Sequence, residues 1–321
     1  TSTYVSSYLS ILNKSIDLTE EYANSYALSQ LNTRYTIDVT HKGESSERIT
    51  PAKVDVVWQT STYLLDYDGY DPEKGTYTFF VGAEDIKDDY GNVIDQRMPR
   101  GNALVAAYDE AGEIIWSWLI WLTDSDVEQM AITTSVGDIM DRNLGATSAT
   151  PGDVGALGLL YQWGRKDPFL GASSISKKIL AMSTITWPEP VESDSSTGTI
   201  CYATANPTTF ISCTRYNDKD NDWCFPGTSA TDKARWKKSS EPKSIYDPCP
   251  AGWRIPDYDL WSDAFSKTSA ISCTFDEDNR ILVTSISNSP QFQNIKNDFK
   301  YSICFLFCCK GLYISYFFPC L

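Results

Sequence analysis

The stretch GNALVAAYDEAGEIIWSWLIWL, residues 101–122, decides the fold because it has the pattern of a β-hairpin. Two apolar runs flank the turn residues at 109–112, and the side chains of a strand point alternately to the two faces of its sheet. Trp116 and Trp118 therefore share one face, and Trp121 takes the other. Large aromatic residues on both faces predict a central strand of a β-sandwich. We interpret these tryptophans as core residues rather than as a platform for stacking sugars.

Short β-type runs precede this hairpin at regular spacing. Residues 34–40 alternate between polar and apolar side chains, and residues 54–58 are rich in β-branched types. Residues 75–81 form a third run after a turn-rich stretch at 66–74. Short strands separated by turns are typical of an immunoglobulin-like fold, so residues 1–124 are predicted to form an Ig-like antiparallel β-sandwich domain.

The pattern changes beyond the hairpin, where loops become longer and glycine and proline more frequent. Asp153 is placed to cap a helix that would run to Trp163. Residues 172–222 form a Ser-, Thr- and Pro-rich stretch longer than a compact connection, a type of loop that is often functional. Asp257 is placed to cap a second, short helix at 260–265. We therefore expect a mainly β chain with some α-helix in its second half.

The charge and the single histidine exclude two classes of function. The chain carries 27 basic and 42 acidic residues, a net charge of −15, and residues 1–124 hold 9 basic against 20 acidic groups. Nucleic-acid binders need a basic surface, which this composition does not offer. His41 is the one base available for a Ser–His or Cys–His pair, and its charged run 41–44 is typical of a solvated turn. We therefore expect no nucleic-acid partner and no histidine-based catalysis.

The nine cysteines all lie after residue 200, and four of them fall in the last eighteen residues. No two of them form a CxxC pair, and no histidine lies nearby, so a zinc site is not predicted. Five cysteines precede residue 300, an odd number, which indicates a free thiol or a partner elsewhere in the chain.

Two long motifs in the second half resemble a known family. They are IMDRNLGATSATPGDVGALGLLYQWGRKDPF at 139–169 and IYDPCPAGWRIPD at 245–257. Both resemble the Fibrobacter succinogenes major paralogous domain, and residues 101–124 resemble the β-domain that accompanies it in fimbrillin-like surface proteins of Bacteroidota. The resemblance implies that residues 125–299 form an α+β domain with a C-type-lectin-like fold, related to formylglycine-generating enzymes. The copper-binding cysteine pair of those enzymes has no counterpart here, so their activity does not carry over.

The last segment, residues 300–321, departs from that family. It reads KYSICFLFCCKGLYISYFFPCL, and its residues have mostly T-rich codons, which indicates a frameshifted or truncated terminus. A transmembrane helix is the competing interpretation. The segment fits it poorly, because Lys310 and Pro319 interrupt its apolar run. The family's closing strand is then missing, so we expect an unpaired sheet edge in the second domain. The resemblance further implies that Cys249 has a free thiol, and that this apolar tail is poorly ordered or lies along that edge.

Residues 210–245 hold the candidate metal site. Asp218, Asp220 and Asp222 stand at alternate positions and offer the oxygen ligands that calcium prefers. The glycine and glutamate of an EF-hand are absent at the required positions. A looser calcium loop and a solvated acidic turn both remain open.

The same region holds the candidate ligand-binding residues, which are the aromatic side chains of Trp223, Tyr216 and Trp236. Trp223 either stacks on a sugar face or fills the core beside Cys224. Outside this region, Asp141 and Arg142 are predicted to form an internal ion pair that organises a turn.

Asp167 precedes Pro168, which predicts a cap or turn residue.

The resemblance implies a cell-surface binding protein, an adhesin or pilus-associated lipoprotein at the extracellular or outer-membrane surface, and the absent histidine base, metal cluster and cysteine pair predict that it is noncatalytic. Its partner would be a host or dietary glycan or another surface protein, and an N-terminal lipid anchor would be its only membrane contact. Calcium is the one cofactor indicated. Two other functions stay open, a structural pilus subunit without a ligand and an enzyme on the formylglycine-generating-like fold.

Overall fold

The computed structural model describes residues 14–134, 137–150, 153–170, 185–213, 222–225, 235–236 and 242–255. Further along the chain it describes only the backbone of five short strands. The described part is mainly β, with twenty strands, one α-helix and one 3₁₀-helix.

Ten strands in the first half form two four-stranded sheets and one separate two-stranded ribbon. They are β1 (Ser15–Leu18), β2 (Ser25–Leu28), β3 (Thr33–Asp38), β4 (Lys53–Gln59), β5 (Asp66–Asp71), β6 (Thr76–Val81), β7 (Glu84–Lys87), β8 (Val93–Arg97), β9 (Gly101–Tyr108) and β10 (Ile114–Leu122). The first sheet has the order β1-β3-β6-β5, and the second has the order β2-β10-β9-β4. The ribbon is β7 paired with β8.

The predicted hairpin is confirmed, since β9 and β10 pair antiparallel and β10 is an interior strand of its sheet. The runs at 34–40, 54–58 and 75–81 are confirmed as strands β3, β4 and β6. The turn-rich interpretation of 66–74 is wrong for residues 66–71, where β5 pairs with β6, and is confirmed for the turn at 72–74. The prediction of a wholly antiparallel fold is also wrong, because β1 pairs parallel with β3 and β2 pairs parallel with β10. Strands β1 and β2 have only four residues each, so their sequence pattern does not show whether they pair parallel or antiparallel with their neighbours.

Strand β10 is buried on both faces. Trp116 and Trp118 lie together in a core between the two sheets, with Ile37 of β3 and Phe79 of β6. Trp121 points to the other face and into a second core. That second core contains Trp58, Leu104 and Leu119 of the same sheet together with Met140, Leu144, Leu159 and Trp253 of the second half. The faces of the three tryptophans are therefore as predicted, and strand β10 joins two cores.

The second half has short strands and little helix. Its elements are β11 (Ala131–Thr134), β12 (Gly137–Met140), a 3₁₀-helix (Val154–Leu157), β13 (Leu160–Gln162), β14 (Val191–Glu192), α1 (Ile200–Ala205), β15 (Ile211–Ser212), β16 (Ser272–Phe275), β17 (Arg280–Thr284), β18 (Phe292–Ile295), β19 (Ile303–Phe305) and β20 (Cys309–Lys310). Helix α1 and strands β14 and β15 lie within the stretch 172–222 that the sequence presented as a long loop. The predicted helix at 260–265 lies outside the described residues.

Asp153 caps a much shorter helix than predicted. Its Oδ1 accepts a hydrogen bond from the backbone N–H of Gly155 at 2.9 Å, as an N-cap should. The helix is a single 3₁₀ turn and is followed by Gly158, whose φ is +72°. A left-handed residue ends a helix, and Leu160–Gln162 then forms a strand instead of further turns.

Two strands of the C-terminal tail join the second half. Strand β19 pairs antiparallel with β13, and β20 pairs antiparallel with β12. The expectation of an unpaired edge is therefore wrong at β12 and β13. These two pairings agree with the expectation that the tail lies along the edge of the second domain. Residues 303–305 and 309–310 of the tail form strands and are not part of a membrane-spanning helix. In the part of the chain that the structure describes, no helix is long and apolar enough to cross a membrane.

Replacing Trp118 with alanine should lower the free energy of unfolding by about 3–5 kcal/mol, the usual loss for a large aromatic core residue. Trp118 is 1% exposed and lies between the two sheets. Denaturant unfolding followed by fluorescence measures the change. Ile94→Ala, at a residue that is 64% exposed, is the control and should stay within about 0.5 kcal/mol of wild type. Equal losses in the two variants would contradict the core assignment.

Candidate functional site

A small recess, open to solvent and with a cavity volume of about 10 Å³, lies between the segment that follows β13 and helix α1. Its lining consists of Gly164, Arg165, Lys166, Asp167, Ile200, Ala203, Thr204, Trp223 and Tyr246. Two cations and one carboxylate in consecutive positions thus face a space bordered by aromatic rings. A cavity of this size has room for about one water molecule.

A glycine turn brings the three charges into the recess. Gly164 has a φ of +80°, and a Cβ at this position would lie 2.5 Å from the Cβ of Arg235. The backbone N–H of Arg165 donates to the carbonyl of Gln162 at 2.9 Å and closes the turn. Residues 165–167 follow directly, and each is only 3% exposed.

Arg165 holds the end of helix α1. Its guanidinium donates to the side-chain oxygen of Gln162 at 2.8 Å. It also donates, over 2.9 to 3.4 Å, to the backbone carbonyls of Ala203, Asn206, Pro207 and Thr209. A cation at the carbonyl end of a helix is favourable. Burial lowers the pKa of Arg165 to about 10, and the negative charge of Asp167 opposes part of that shift.

Lys166 and Asp167 join the second half to strand β10. The Lys166 Nζ donates to Asp167 Oδ1 at 2.7 Å, to the Ser117 carbonyl at 3.0 Å and to the Ser117 Oγ. The Ser117 hydroxyl in turn donates to Asp167 Oδ1 at 2.6 Å. The ammonium also lies 4.6 Å from the centre of the Trp116 ring. Burial lowers the pKa of Lys166, and Asp167 opposes that shift.

The chain bends at Asp167, which agrees with its prediction as a turn residue, but its carboxylate belongs to this buried cluster, which the prediction missed. Sequence reasoning also passed over Arg165 and Lys166. The available signal was three consecutive charged residues after the apolar run 159–163, since charges placed in an apolar segment are buried only when they have partners.

Trp223 forms part of the wall of the recess from inside the protein. It is 1% exposed and lies in a small core with Ala203, Ile211 and Cys224. Its indole N–H donates to the carbonyl of Trp163 at 2.6 Å. Of the two roles considered for this residue, burial favours the core over sugar stacking.

The other two aromatic candidates do not add a stacking surface in the described residues. Trp236 is also 1% exposed, and its ring lies 4.8 Å from that of Trp163, in the second core. Tyr216 lies outside the described residues. The half-buried aromatic residue at the recess is Tyr246, whose ring centre lies 5.8 Å from that of Trp116. Burial raises the pKa of Tyr246.

Asp222 of the candidate calcium loop binds a guanidinium. Its two carboxylate oxygens accept from Arg235 Nη2 at 2.8 and 2.7 Å, and Oδ1 also accepts from the backbone N–H of Cys224. Asp218 and Asp220 lie outside the described residues. Within the described ranges, no group of three or more His, Cys, Asp or Glu residues could hold a metal ion. A calcium ion at Asp222 would compete with Arg235 for this carboxylate.

His41 is not in a solvated turn, and that interpretation is wrong. The residue is 6% exposed, its Nδ1 lies 2.8 Å from Asp38 Oδ1, and its ring centre is 3.9 Å from that of Tyr22. A carboxylate three residues earlier in the chain allows the imidazole to be buried, because it offers the ring a partner.

The predicted internal ion pair is confirmed. Arg142 is 5% exposed, and its Nε lies 2.7 Å from Asp141 Oδ1. Its Nη1 also lies 2.6 Å from Asp124 Oδ1 and donates to the Thr123 hydroxyl at 2.9 Å. Arg142 is therefore a buried cation matched by two carboxylates, and it ties the second half to the end of strand β10.

The loop 245–255 contacts the first half of the chain through Asp247. The side-chain oxygens of Asp247 accept hydrogen bonds from the backbone N–H groups of Cys249 at 2.9 Å and Ile255 at 3.0 Å. Asn24 donates to the Asp247 carbonyl at 2.8 Å. Burial raises the pKa of Asp247. Cys249 is disulfide-bonded, so the prediction of a free thiol there is wrong.

The ribbon β7–β8 is the most exposed element in the described ranges. Tyr90 is 92% exposed, Ile94 64% and Val93 52%. At its tip, Asp88 Oδ1 accepts from the backbone N–H groups of Tyr90 and Asn92, at 2.9 and 2.8 Å. The ribbon is therefore well ordered by its own hydrogen bonds while it presents apolar side chains to solvent.

Comparison of the chain with protein-family models, with curated proteins and with solved structures gave no match. Functional interpretation therefore rests on the site geometry and on the sequence.

Lys166→Met should lower the free energy of unfolding by about 3–5 kcal/mol, because it leaves the buried Asp167 carboxylate without its cation. The double variant Lys166→Met/Asp167→Asn should recover part of this loss, since Asn can still accept from Ser117. Urea unfolding of the three proteins measures both effects. The control is Lys74→Met, which breaks an exposed pair with Asp71 and should cost about 0–1 kcal/mol. A double variant less stable than the single one would contradict the pairing.

Asp247→Asn should lower the free energy of unfolding by about 1–3 kcal/mol. The two carboxylate oxygens of Asp247 each accept from one backbone N–H, of Cys249 and of Ile255. An amide has only one oxygen, so its NH₂ group would face the other N–H donor. Asp109→Asn is the matched control. There one oxygen, Oδ1, accepts from both backbone donors, Ala111 and Glu113, so an amide can replace the carboxylate. Thermal unfolding compares the two variants, and equal shifts in Tm would count against this role of Asp247.

Proposed function

We propose that the chain is a noncatalytic cell-surface binding protein that docks onto another protein through the ribbon β7–β8. The observation that carries the proposal is the exposure of Tyr90, Val93 and Ile94 on a hairpin that pairs with neither of the large sheets. Apolar side chains grouped on an exposed element are typical of contact surfaces. Aromatic and aliphatic anchors of this kind supply most of the affinity in protein interfaces.

The build of the ribbon supports this role. The tip hydrogen bonds of Asp88, the Arg97–Glu84 ion pair at 2.8 Å and the Gln96–Asp85 hydrogen bond at 2.9 Å fix its shape before any partner arrives. A preorganised element loses less entropy on binding than a mobile loop. The ribbon can also accept a further strand by β-augmentation.

Charge indicates the kind of partner. Residues 84–97 contain five acidic and two basic side chains, a net charge of −3, and the whole chain carries −15. Two copies of such a chain repel each other, whereas a basic partner is attracted. We therefore assign the ribbon to a basic protein surface rather than to self-association.

Two observations support an extracellular location. Disulfides persist mainly in oxidising compartments, and Cys249 is disulfide-bonded. The resemblance of residues 139–169 and 245–257 to a domain of surface proteins implies the same location.

The buried charges support a noncatalytic role for the second half. Lys166 and Asp167 hold each other and Ser117, and Arg142 is held by Asp141 and Asp124. General acids and bases need at least one group that reaches a substrate, whereas these groups hydrogen-bond within the fold.

The test presents the intact chain, coupled to beads, to immobilised basic proteins, to acidic proteins and to a mucin as glycan carrier. We expect saturable binding to basic proteins that weakens at least about tenfold, or about 1.4 kcal/mol, in Ile94→Asp. Tyr63→Asp is the matched control, since Tyr63 is 80% exposed and lies outside the ribbon.

Three outcomes would contradict the proposal. The first is unchanged binding in Ile94→Asp, and the second is binding to the mucin alone, which would favour glycan recognition. The third is no binding to any surface, which would favour a purely structural subunit.

A further inference from the structure

The ribbon β7–β8 has two outer backbone edges, because it pairs with neither of the large sheets. Along each strand, the backbone N–H and C=O groups of alternate residues point toward the paired strand and away from it. The groups that point away can bind a further strand. The two outer edges therefore decide how a docked protein contacts the backbone of the ribbon.

The hydrogen bonds at the tip show which groups of β7 point outward. The backbone N–H of Asp88 donates to the carbonyl of Asn92 at 2.9 Å, so these two residues form a hydrogen-bonded pair. Bonded and non-bonded pairs alternate along an antiparallel ribbon, so the next pair, Lys87 with Val93, is non-bonded. The backbone N–H and C=O of Lys87 therefore point away from β8, and those of Asp85, two residues earlier, do the same.

The outer edge of β8 is closed by its own residues. Gln96 lies opposite Asp85, and its outward backbone N–H donates to the side-chain Oδ1 of Asp95 at 2.8 Å. The pairing register also shifts between Asp95 and Val93, which leaves Ile94 as a bulge on this edge. A carboxylate that accepts from the edge and a bulge within it both hinder the addition of a strand.

The outer edge of β7 is open. Among the residues that the structure describes, none accepts a hydrogen bond from the outward N–H of Asp85 or Lys87. The side chains of β7 are exposed except for that of Ile86, which is half-buried. Solvent therefore reaches this edge, and the outward N–H and C=O groups of both residues remain for a further strand.

The side chains of β7 indicate what an added strand carries. Its side chains would lie beside Glu84 and Ile86 on one face and beside Asp85 and Lys87 on the other. Residues 84–97 carry a net charge of −3, and like charges on neighbouring strands are unfavourable. A second copy of β7 would bring the same acidic side chains, whereas a basic segment is attracted.

We propose that the partner adds one extended, basic segment to the outer edge of β7 and leaves the outer edge of β8 free. This inference rests on the proposed function, because it names the part of the ribbon with which the basic partner pairs. Main-chain hydrogen bonds to Asp85 and Lys87 align the segment, and the exposed apolar side chains of the ribbon contact the rest of the partner.

The experiment measures the binding of a short synthetic peptide, in which lysine and valine alternate, to the intact chain by calorimetry. Lys87→Pro removes the outward N–H, and an edge strand tolerates a proline at such a position. Lys87→Ala is the matched control, since it removes the same charge and keeps the N–H. We expect Lys87→Pro to bind the peptide about tenfold more weakly than Lys87→Ala, because a peptide carbonyl loses its donor.

The same change on β8 tests the choice of edge. Gln96→Pro removes an N–H that the Asp95 carboxylate already accepts. This variant should therefore bind the peptide as tightly as Gln96→Ala does. Thermal unfolding of all four variants checks that each is folded.

A methylated peptide covers the case in which Lys87→Pro fails to fold. With N-methyl groups on its backbone nitrogens, the peptide keeps its charges and side chains but has no N–H to donate to β7. The wild type should bind this peptide at least about tenfold more weakly than the unmethylated one.

Strand addition to β7 is overturned if the wild type does not bind the peptide or binds both peptides equally. Equal binding by Lys87→Pro and Lys87→Ala, or a loss in Gln96→Pro alone, would overturn it as well. A wild-type dimer that Lys87→Pro dissociates would identify a second copy as the occupant, against the proposal. In each case the proposed function still stands if Ile94→Asp weakens binding to basic proteins, and it fails separately if Ile94→Asp leaves that binding unchanged.

Discussion

Both faces of strand β10 must be covered, because its three tryptophans place large apolar surfaces on opposite sides of one sheet. Trp116 and Trp118 require the other sheet of the first half, and Trp121 requires the second half of the chain. Each buried indole removes about 150–250 Å² from water, which corresponds to roughly 4–6 kcal/mol at 25 cal/mol per Å². The two halves are therefore held together by the same strand that organises the first core.

Polar groups between the β9–β10 hairpin and the second half of the chain fix how these two parts pack against each other. The indole N–H of Trp121 donates to the Ala146 carbonyl at 2.8 Å, and the Asn102 amide donates to the Gly145 carbonyl at 2.9 Å. Hydrophobic burial is non-directional, whereas such hydrogen bonds and the charges of Lys166 and Asp167 fit one arrangement only. Burying these ions costs several kcal/mol, and the surrounding apolar contacts offset that cost.

The molecule separates its charged and apolar side chains in an unusual way. Several cations, including Arg142, Arg165 and Lys166, are buried near the junction, while Tyr90, Val93 and Ile94 are exposed on the ribbon. The buried groups support the fold, and the exposed ones are available to a partner. This separation is why our functional proposal places protein binding on the ribbon.

The sequence alone determined the elements whose signals are local. Alternation over 101–122 determined the β9–β10 hairpin and the faces of its tryptophans, and the side chain of Asp153 determined a helix start. Adjacent residues of opposite charge determined the Asp141–Arg142 pair. Only the tertiary structure decided the parallel edge strands, the burial of His41 and the membership of Asp167 in a cluster with Ser117, fifty positions away. These features depend on contacts between residues distant in sequence, and a local pattern carries no information on which distant partner will satisfy a charge or extend a sheet.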